Sequence, residues 1–195
     1  IKTDTDSLAR GCSPADVQAY AFLLKRAELP LLRRLERPSY KPESARAYGQ
    51  ALSNVGVEGD VAVAFLGKLP EDDTHILVDI ADFCIALEEI TWSAAAAIIG
   101  EQIVFTLRYL GSKSGAGDLA KIIAGSEGSG GGHVAMARAR VPLTGEWKQL
   151  VKADIKTGTA ELLRRISKAI EELRANPPRS SRPTHQETTR RAANQ

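Results

Sequence analysis

Hydrophobic residues recur at two different spacings along the chain, and the change of spacing divides it. Over residues 13–53 the apolar side chains recur at helical intervals. Ser13, Pro14 and Asp16 together are typical of a helix N-terminus, because they supply a capping side chain, a proline in the first turn and an acid at the third helical position. The predicted helices of this part cover residues 14–27, 31–38 and 42–53.

From residue 55 onward, short apolar runs alternate with helical patterns. Residues 61–66 form an apolar run between Gly59 and Gly67, which fits a buried strand, and Gly100 separates two further apolar segments as the turn of a hairpin. The predicted strands are residues 61–66, 92–99, 102–109 and 134–143, and the predicted helices are residues 74–87, 117–124 and 159–175. A glycine-rich loop is expected at residues 125–132. This order predicts an α/β fold, a mixed β-sheet flanked by helices, preceded by a helical linker.

Composition places the chain among ordinary globular proteins. It has 195 residues, of which 43% are hydrophobic and 26% charged. No apolar run approaches the roughly 18 residues of a membrane helix, so we expect a soluble protein with no membrane partner. The two cysteines, Cys12 and Cys84, lack the spacing of a metal site and are expected to be free thiols in a reducing cytoplasm.

The charge of the chain is unevenly distributed. The formal net charge is +2, and four arginines lie beyond residue 176, in a segment with almost no large apolar residue that we expect to be a disordered basic tail. The rest of the chain is close to neutral. Any affinity of the folded part for nucleic acid must therefore come from a local arrangement of arginine and lysine.

The most informative stretch is Gly130-Gly131-Gly132-His133. Successive glycines let backbone N–H groups approach an anion without hindrance from side chains, and the histidine adds a donor. The stretch is interpreted either as a phosphate cradle or as a flexible loop with an exposed histidine, and spacing alone does not choose. Residues 115–120 match a dinucleotide-binding string, but the position late in the chain favours an ordinary glycine-rich helix start.

Two further groups of polar residues raise the question of chemistry. Arg108 ends an apolar strand and shares a face with Thr106, so it is either a bidentate phosphate ligand or a solvated strand end. His75, Asp79 and Asp82 recur on one side of a predicted helix, where a polar surface is favoured over a metal site. No arrangement for nucleophilic catalysis by serine or cysteine is evident.

Taken in order, several motifs resemble the second half of a DHH-family phosphoesterase, a group that includes RecJ-like exonucleases and nanoRNase or pAp phosphatase enzymes. The motifs are Thr3-Asp4-Thr5, Ala81-Asp82-Phe83, Phe105-Thr106-Leu107-Arg108 and Gly130-Gly131-Gly132-His133, followed by Arg138 and Arg140. The last of the four motifs is similar to the signature of the DHH-associated domain, which binds the substrate in such enzymes.

The resemblance implies a division of the chain and a metal. Residues 1–11 would be the remnant of a DHH catalytic domain, 12–54 a helical linker, 55–176 the DHH-associated domain and 177–195 the tail. By resemblance Asp4 is a metal ligand of a centre that usually holds manganese, and the Asp-His-His motif of that centre is absent from this sequence. The chain alone is therefore expected to be inactive and to need the N-terminal DHH domain as its partner.

The resemblance also implies roles for the remaining site residues. Arg108 would contact a phosphate or base, the amides of residues 130–132 would hold the terminal phosphate with His133, and Arg138 would extend the basic surface. The expected ligand is a short single-stranded nucleic acid or a phosphorylated nucleotide, and its length and a homodimer stay open. The alternatives are a nucleic-acid or nucleotide-binding module without catalysis and a tRNA-synthetase-related editing module.

Overall fold

The computed structural model describes residues 1–2, 5, 7–8, 12–36, 40–42 and 44–177, and the chain forms two compact units that divide after Lys41. The first unit contains the helices α1 (Pro14–Leu24) and α2 (Leu29–Glu36). The predicted start of α1 is confirmed, because Ser13 and Asp16 exchange hydrogen bonds between side chain and amide. The Ser13 hydroxyl and amide lower the pKa of the Asp16 carboxyl.

The second unit contains the sheet and four helices. Its strands are β1 (Gly56–Glu58), β2 (Val61–Lys68), β3 (Trp92–Ile99), β4 (Gln102–Tyr109), β5 (Ser129–Gly132) and β6 (Met136–Pro142). Its helices are α3 (Ser44–Leu52), α4 (His75–Ile85), α5 (Ala116–Ala124) and α6 (Ile155–Ala175), with short 3-10 turns at Glu71–Asp73 and Gly145–Val151. The predicted α/β class and the helices at the N-terminal end are confirmed.

The six strands form one mixed sheet in the order β1-β2-β3-β4-β6-β5. Only β2 and β3 are parallel, and α4 connects them as a crossover, whereas the other four neighbouring pairs are antiparallel. The predicted hairpin between β3 and β4 is confirmed, and Gly100 at its turn has a φ of +59°, which favours glycine. The strands β5 and β6 lie at one end of the sheet, with β5 at its edge.

Two hydrophobic layers cover the central strands. On one face, called here the α4 face, small side chains of β2 and β3 and Val104 of β4 pack against α3 and α4. On the other face, called the α5–α6 face, the alternate residues pack against α5 and α6. Because β2 and β3 are covered on both sides, they are apolar almost throughout, which is why they read as continuous hydrophobic runs.

The sequence pattern is wrong about residues 129–132. They were expected within a loop, but they form the edge strand β5, antiparallel to β6. A strand made of glycines lacks the alternating side chains by which strands are recognised, so the pattern carried no signal for it. The short strand β1 was also missed, whereas the predicted helix 74–87 is observed as α4, His75–Ile85.

The C-terminal helix α6 is anchored at both ends. Asp154 accepts a hydrogen bond of 2.7 Å from the Thr157 amide at its start, and this bond lowers the pKa of the Asp154 carboxyl. Near its end, Arg174 lies 2.6 Å from the Asp60 carboxylate, which also accepts from the Thr91 hydroxyl. These contacts fix α6 against the sheet, where Leu162, Ile166 and Ile170 are buried.

Both cysteines are free, as predicted, and Cys84 is buried. Burial raises the pKa of the Cys84 thiol to about 11, so its role is to fill the α4 side of the core. Among the described residues, no helix combines the length and apolarity needed to cross a membrane.

Candidate functional site

The residues singled out from the sequence meet on three neighbouring strands, β4, β6 and β5. Arg108 of β4 is opposite Met136 of β6, and the His133 amide donates a hydrogen bond of 2.8 Å to the Met136 carbonyl. Arg108, Met136 and His133 therefore form one row across the sheet. With adjacent strands about 4.8 Å apart, the Cα atoms of Arg108 and His133 are separated by about 10 Å.

Two more rows run beside the first. Thr106, Arg138 and Gly131 are in register, and the third row joins Val104, Arg140 and Ser129. Because side chains alternate between the faces of a strand, the members of all three rows lie on the α4 face. Helix α4 packs against β2, β3 and β4, so the part of this face formed by β6 and β5 is exposed. We call the three rows the open face; Val104 and Thr106 in it are buried, and its positions on β6 and β5 are partly or fully exposed.

The three glycines of β5 serve two purposes. A methyl group at Gly130 would lie 2.1 Å from the Ala120 carbonyl oxygen of α5, and one at Gly132 would lie 2.4 Å from the Met136 carbonyl oxygen. These two glycines are therefore required by close packing of backbone against backbone. A methyl group at Gly131 would meet nothing within 4 Å, so Gly131 leaves free space on the open face.

The glycine-rich start of α5 is explained by the same close packing. The amide of Ala116 donates to the Val134 carbonyl at 2.8 Å, and the amide of Gly117 donates to the His133 carbonyl at 3.0 Å. The amides that a helix start would offer to an anion are thus taken by the chain that follows β5. The favoured interpretation of residues 115–120 as an ordinary helix start agrees with the observed helix, Ala116–Ala124.

Arg108 is held by an ion pair that the sequence did not reveal. Its Nε lies 2.5 Å from Oδ1 of Asp82 on α4, and its Nη2 lies 3.4 Å from Oδ2 of the same carboxylate. Its Nη1 donates to the Leu107 carbonyl at 3.3 Å. The side chain of Arg108 is only 15% exposed, whereas that of Asp82 is 54% exposed. The guanidinium is therefore fixed at the border between α4 and the open face.

Another carboxylate on the same surface of α4, that of Asp79, makes a contact within the fold. Asp79 accepts a hydrogen bond from the Tyr48 hydroxyl of α3. Within the described ranges, no three His, Cys, Asp or Glu side chains are grouped so that they could hold a metal ion. His75 and Asp82 are exposed and Asp79 is half-buried, opposite the apolar residues of α4, as the favoured interpretation of a polar surface expects.

Two features of the open face concern charge and burial. Arg138 and Arg140 are exposed, and in the part of the chain that the structure describes no carboxylate pairs with either. Thr106 is 3% exposed, and its Oγ1 has no hydrogen-bond partner among the described residues. The alternation of β4 placed Thr106 beside Arg108, but nothing in the sequence indicated the unpaired hydroxyl.

Asp4, the predicted metal ligand, lies outside the described residues.

No protein-family profile matches the chain. A protein of Methanocaldococcus jannaschii described as uncharacterized is 29% identical over 144 residues, which are 73% of this chain and 29% of that protein. The chain thus spans less than a third of this relative.

Among solved structures, an exopolyphosphatase-related protein from Bacteroides fragilis is similar with a TM-score of 0.60 and 18% identity, over 89% of this chain and 48% of that one. The chain shares the fold of about half of that protein. This likeness confirms, for the fold, the resemblance that the motifs predict. Weaker similarity is found to the C-Ala domain of alanyl-tRNA synthetase from Aquifex aeolicus. Its TM-score is 0.40 and its identity 17%, over 57% of this chain and 96% of that domain. Weaker similarity is also found to the pGpG-specific phosphodiesterase PggH from Vibrio cholerae. Its TM-score is 0.36 and its identity 18%, over 67% of this chain and 40% of that one.

Proposed function

We propose that this chain is the substrate-binding part of a metal-dependent phosphoesterase of the DHH family, and that its open face binds a phosphorylated nucleotide or a short single-stranded oligonucleotide. The observation that carries the proposal is the register of β4, β6 and β5, which brings Arg108, Arg138 and His133 to one end of one sheet face. The fold shared with an exopolyphosphatase-related protein supports it.

The chemistry of the open face suits a phosphate. Guanidinium groups bind phosphate oxygens through two parallel hydrogen bonds, and Arg138 and Arg140 have no competing carboxylate among the described residues. The free space over Gly131 lets a ligand approach the backbone between these side chains. The exposed imidazole of His133 adds an N–H donor.

The contribution of this face to catalysis would be positional. A phosphate bound at one end of a substrate fixes where the next phosphodiester bond lies, and orientation of reacting groups is a large source of rate enhancement in enzymes. Base-specific contacts are not needed for that grip. The proposal therefore favours recognition of the phosphate and of the length of the ligand over recognition of its sequence.

The metal centre implied by the resemblance is not formed by the described residues, which hold no suitable group of ligands. The proposal assigns manganese to a DHH catalytic domain of a longer protein, with Asp4 as one ligand, and assigns ligand binding to the open face. The relatives leave room for such a domain, because the chain spans 29% of one and 48% of the other.

Calorimetric titration of the chain with adenosine 3′,5′-bisphosphate (pAp) tests the proposal. Arg108→Ala is expected to weaken binding about tenfold to a hundredfold, and Arg138→Ala by a smaller factor, since a charge-assisted hydrogen bond is worth about 1.5–3 kcal/mol. Lys152→Ala removes an equal charge from an exposed residue just before α6 and serves as the matched control. Equal affinities of all four proteins for pAp would contradict the proposal.

A further inference from the structure

We propose that Asp82 is a positioning residue, which holds the guanidinium of Arg108 in the orientation that binds the ligand. This inference rests on the proposed function of the open face. Asp82 lies on α4, outside the three rows, and pairs with Arg108, through which it would act on a ligand. It is therefore a separate claim about how the site is built.

The hydrogen bonds of Arg108 leave one particular edge of its guanidinium available. A guanidinium has five N–H donors. The Nε donor and one Nη2 donor point to Asp82, and one Nη1 donor points to the Leu107 carbonyl. This leaves one donor on Nη1 and one on Nη2, the two terminal nitrogens, which one phosphate can engage together. This is the pair that matches two oxygens of a phosphate.

The position of Asp82 is itself fixed. The preceding residue, Ala81, accepts a hydrogen bond of 2.7 Å from the hydroxyl of Ser93, and both of these residues are buried. Ser93 on β3 is the register partner of Arg108 on β4. The carboxylate and the guanidinium are thus attached to the same row of the sheet, one through the helix and one through the strand. A side chain held in this way loses less rotamer freedom when a ligand binds.

Asp82 also has an effect of opposite sign, since its negative charge repels an anionic ligand. The direction in which the affinity changes when Asp82 is removed distinguishes the two effects. A carboxylate close to an anion site repels the anion, so if repulsion dominated, removal of Asp82 would strengthen binding. The mostly buried Arg108 side chain favours the positioning role, because without Asp82 its charge would lose its partner and its orientation. We therefore expect a loss of affinity.

The test is a double-mutant cycle on pAp affinity, measured by calorimetry with the 195-residue chain. Asp82→Ala should weaken binding about fivefold to tenfold, and Asp82→Asn, which keeps an acceptor for Nε, should lose less. In the Arg108→Ala background, Asp82→Ala should cause no further loss. Asp79→Ala removes a carboxylate from the same helix surface and should leave pAp affinity unchanged, which separates positioning from general disturbance of α4.

Unchanged or tighter binding by Asp82→Ala, or the same loss in both backgrounds, would overturn the positioning role while leaving the proposed function standing. If Arg108→Ala itself binds pAp like the unmodified chain, this inference is wrong, and the proposed function is wrong with it when Arg138→Ala is unchanged as well. Unfolding midpoints of the variants in urea show whether each remains folded at the temperature of the titration.

Discussion

Gly130 and Gly131 are neighbours in β5 whose surroundings differ sharply. Alanine at position 130 would place a methyl group against the Ala120 carbonyl oxygen, whereas alanine at position 131 would extend into free space. Gly130→Ala should therefore lower the free energy of unfolding by about 1–3 kcal/mol, as expected for overpacking. Gly131→Ala should leave it unchanged or raise it by up to about 1 kcal/mol. Urea unfolding of the two variants measures both, and equal destabilisation would contradict the assigned packing of β5.

Thr106 carries a buried hydroxyl that has no hydrogen-bond partner among the described residues. Leaving such a group unpaired costs about 1–3 kcal/mol, and valine has nearly the same shape without the hydroxyl. Thr106→Val is expected to raise the free energy of unfolding of the ligand-free chain by about 1 kcal/mol. Thr106→Ser keeps the hydroxyl and loses the methyl group, so it should be less stable than the unmodified chain. A marked loss of stability in Thr106→Val would mean that the hydroxyl has a partner.

At the level of single residues, the sequence predicted part of the site. The alternation along β4 placed Arg108 and Thr106 on one face, and the register confirms that they share it. Arg108 and His133 are close because β6 lies between β4 and the residue that follows β5. The sequence predicted a strand in that position, at residues 134–143. The partnership of Arg108 with Asp82 could not be predicted, because it depends on how α4 crosses the sheet and 26 residues separate the two in sequence.

Among the elements, α6 is held to the segment before it by a group of charged side chains. Glu161 accepts hydrogen bonds from Arg164 at 2.9 Å and from Arg165 at 2.5 Å. Arg165 also contacts Glu146 and lies over the Trp147 ring. The hydrogen bonds from Arg164 and then Arg165 lower the pKa of Glu161 from 4.5 to about 2.

This lowered pKa predicts a pH dependence of stability. Because the folded pKa is below the unfolded one, the contribution of Glu161 is fully present above about pH 4.5 and is lost as the pH falls towards 2. Glu161→Gln should therefore be less stable than the unmodified chain at pH 6, and the difference should shrink between pH 4.5 and 2. Glu172→Gln, in an exposed pair 3.8 Å from Lys168, is the matched control and should show little such dependence. Urea unfolding midpoints of the three proteins across this pH range test the prediction. A stability difference between Glu161→Gln and the unmodified chain that stays constant with pH would contradict the lowered pKa of Glu161.

Elements with side-chain patterns were predicted well, and elements without them were not. The strands β2, β3 and β4 were recognised because burial on one or both faces leaves a run or an alternation of apolar residues. The strand β5 consists of one serine and three glycines, so its pairing is specified by backbone contacts with α5 and β6. The glycines that suggested either a phosphate cradle or a flexible loop are thus partly a consequence of helix packing.

For the whole molecule, the fold class followed from the order of the patterns, and its mixed sheet is confirmed. The division of the chain into a catalytic remnant, a linker and a substrate-binding domain stays a prediction, as does the role of Asp4. The manganese centre implied by the resemblance likewise stays a prediction.

The most direct measurement is a crystal structure of the chain with pAp bound. We expect a phosphate group on the open face, with its oxygens within about 3 Å of the free Nη1 and Nη2 donors of Arg108 and of the His133 ring. The pair between Arg108 and Asp82 should be retained in the complex. A phosphate bound elsewhere, such as on the α5–α6 face, with Arg108 and His133 free of contact, would contradict the assignment of the open face as the ligand site.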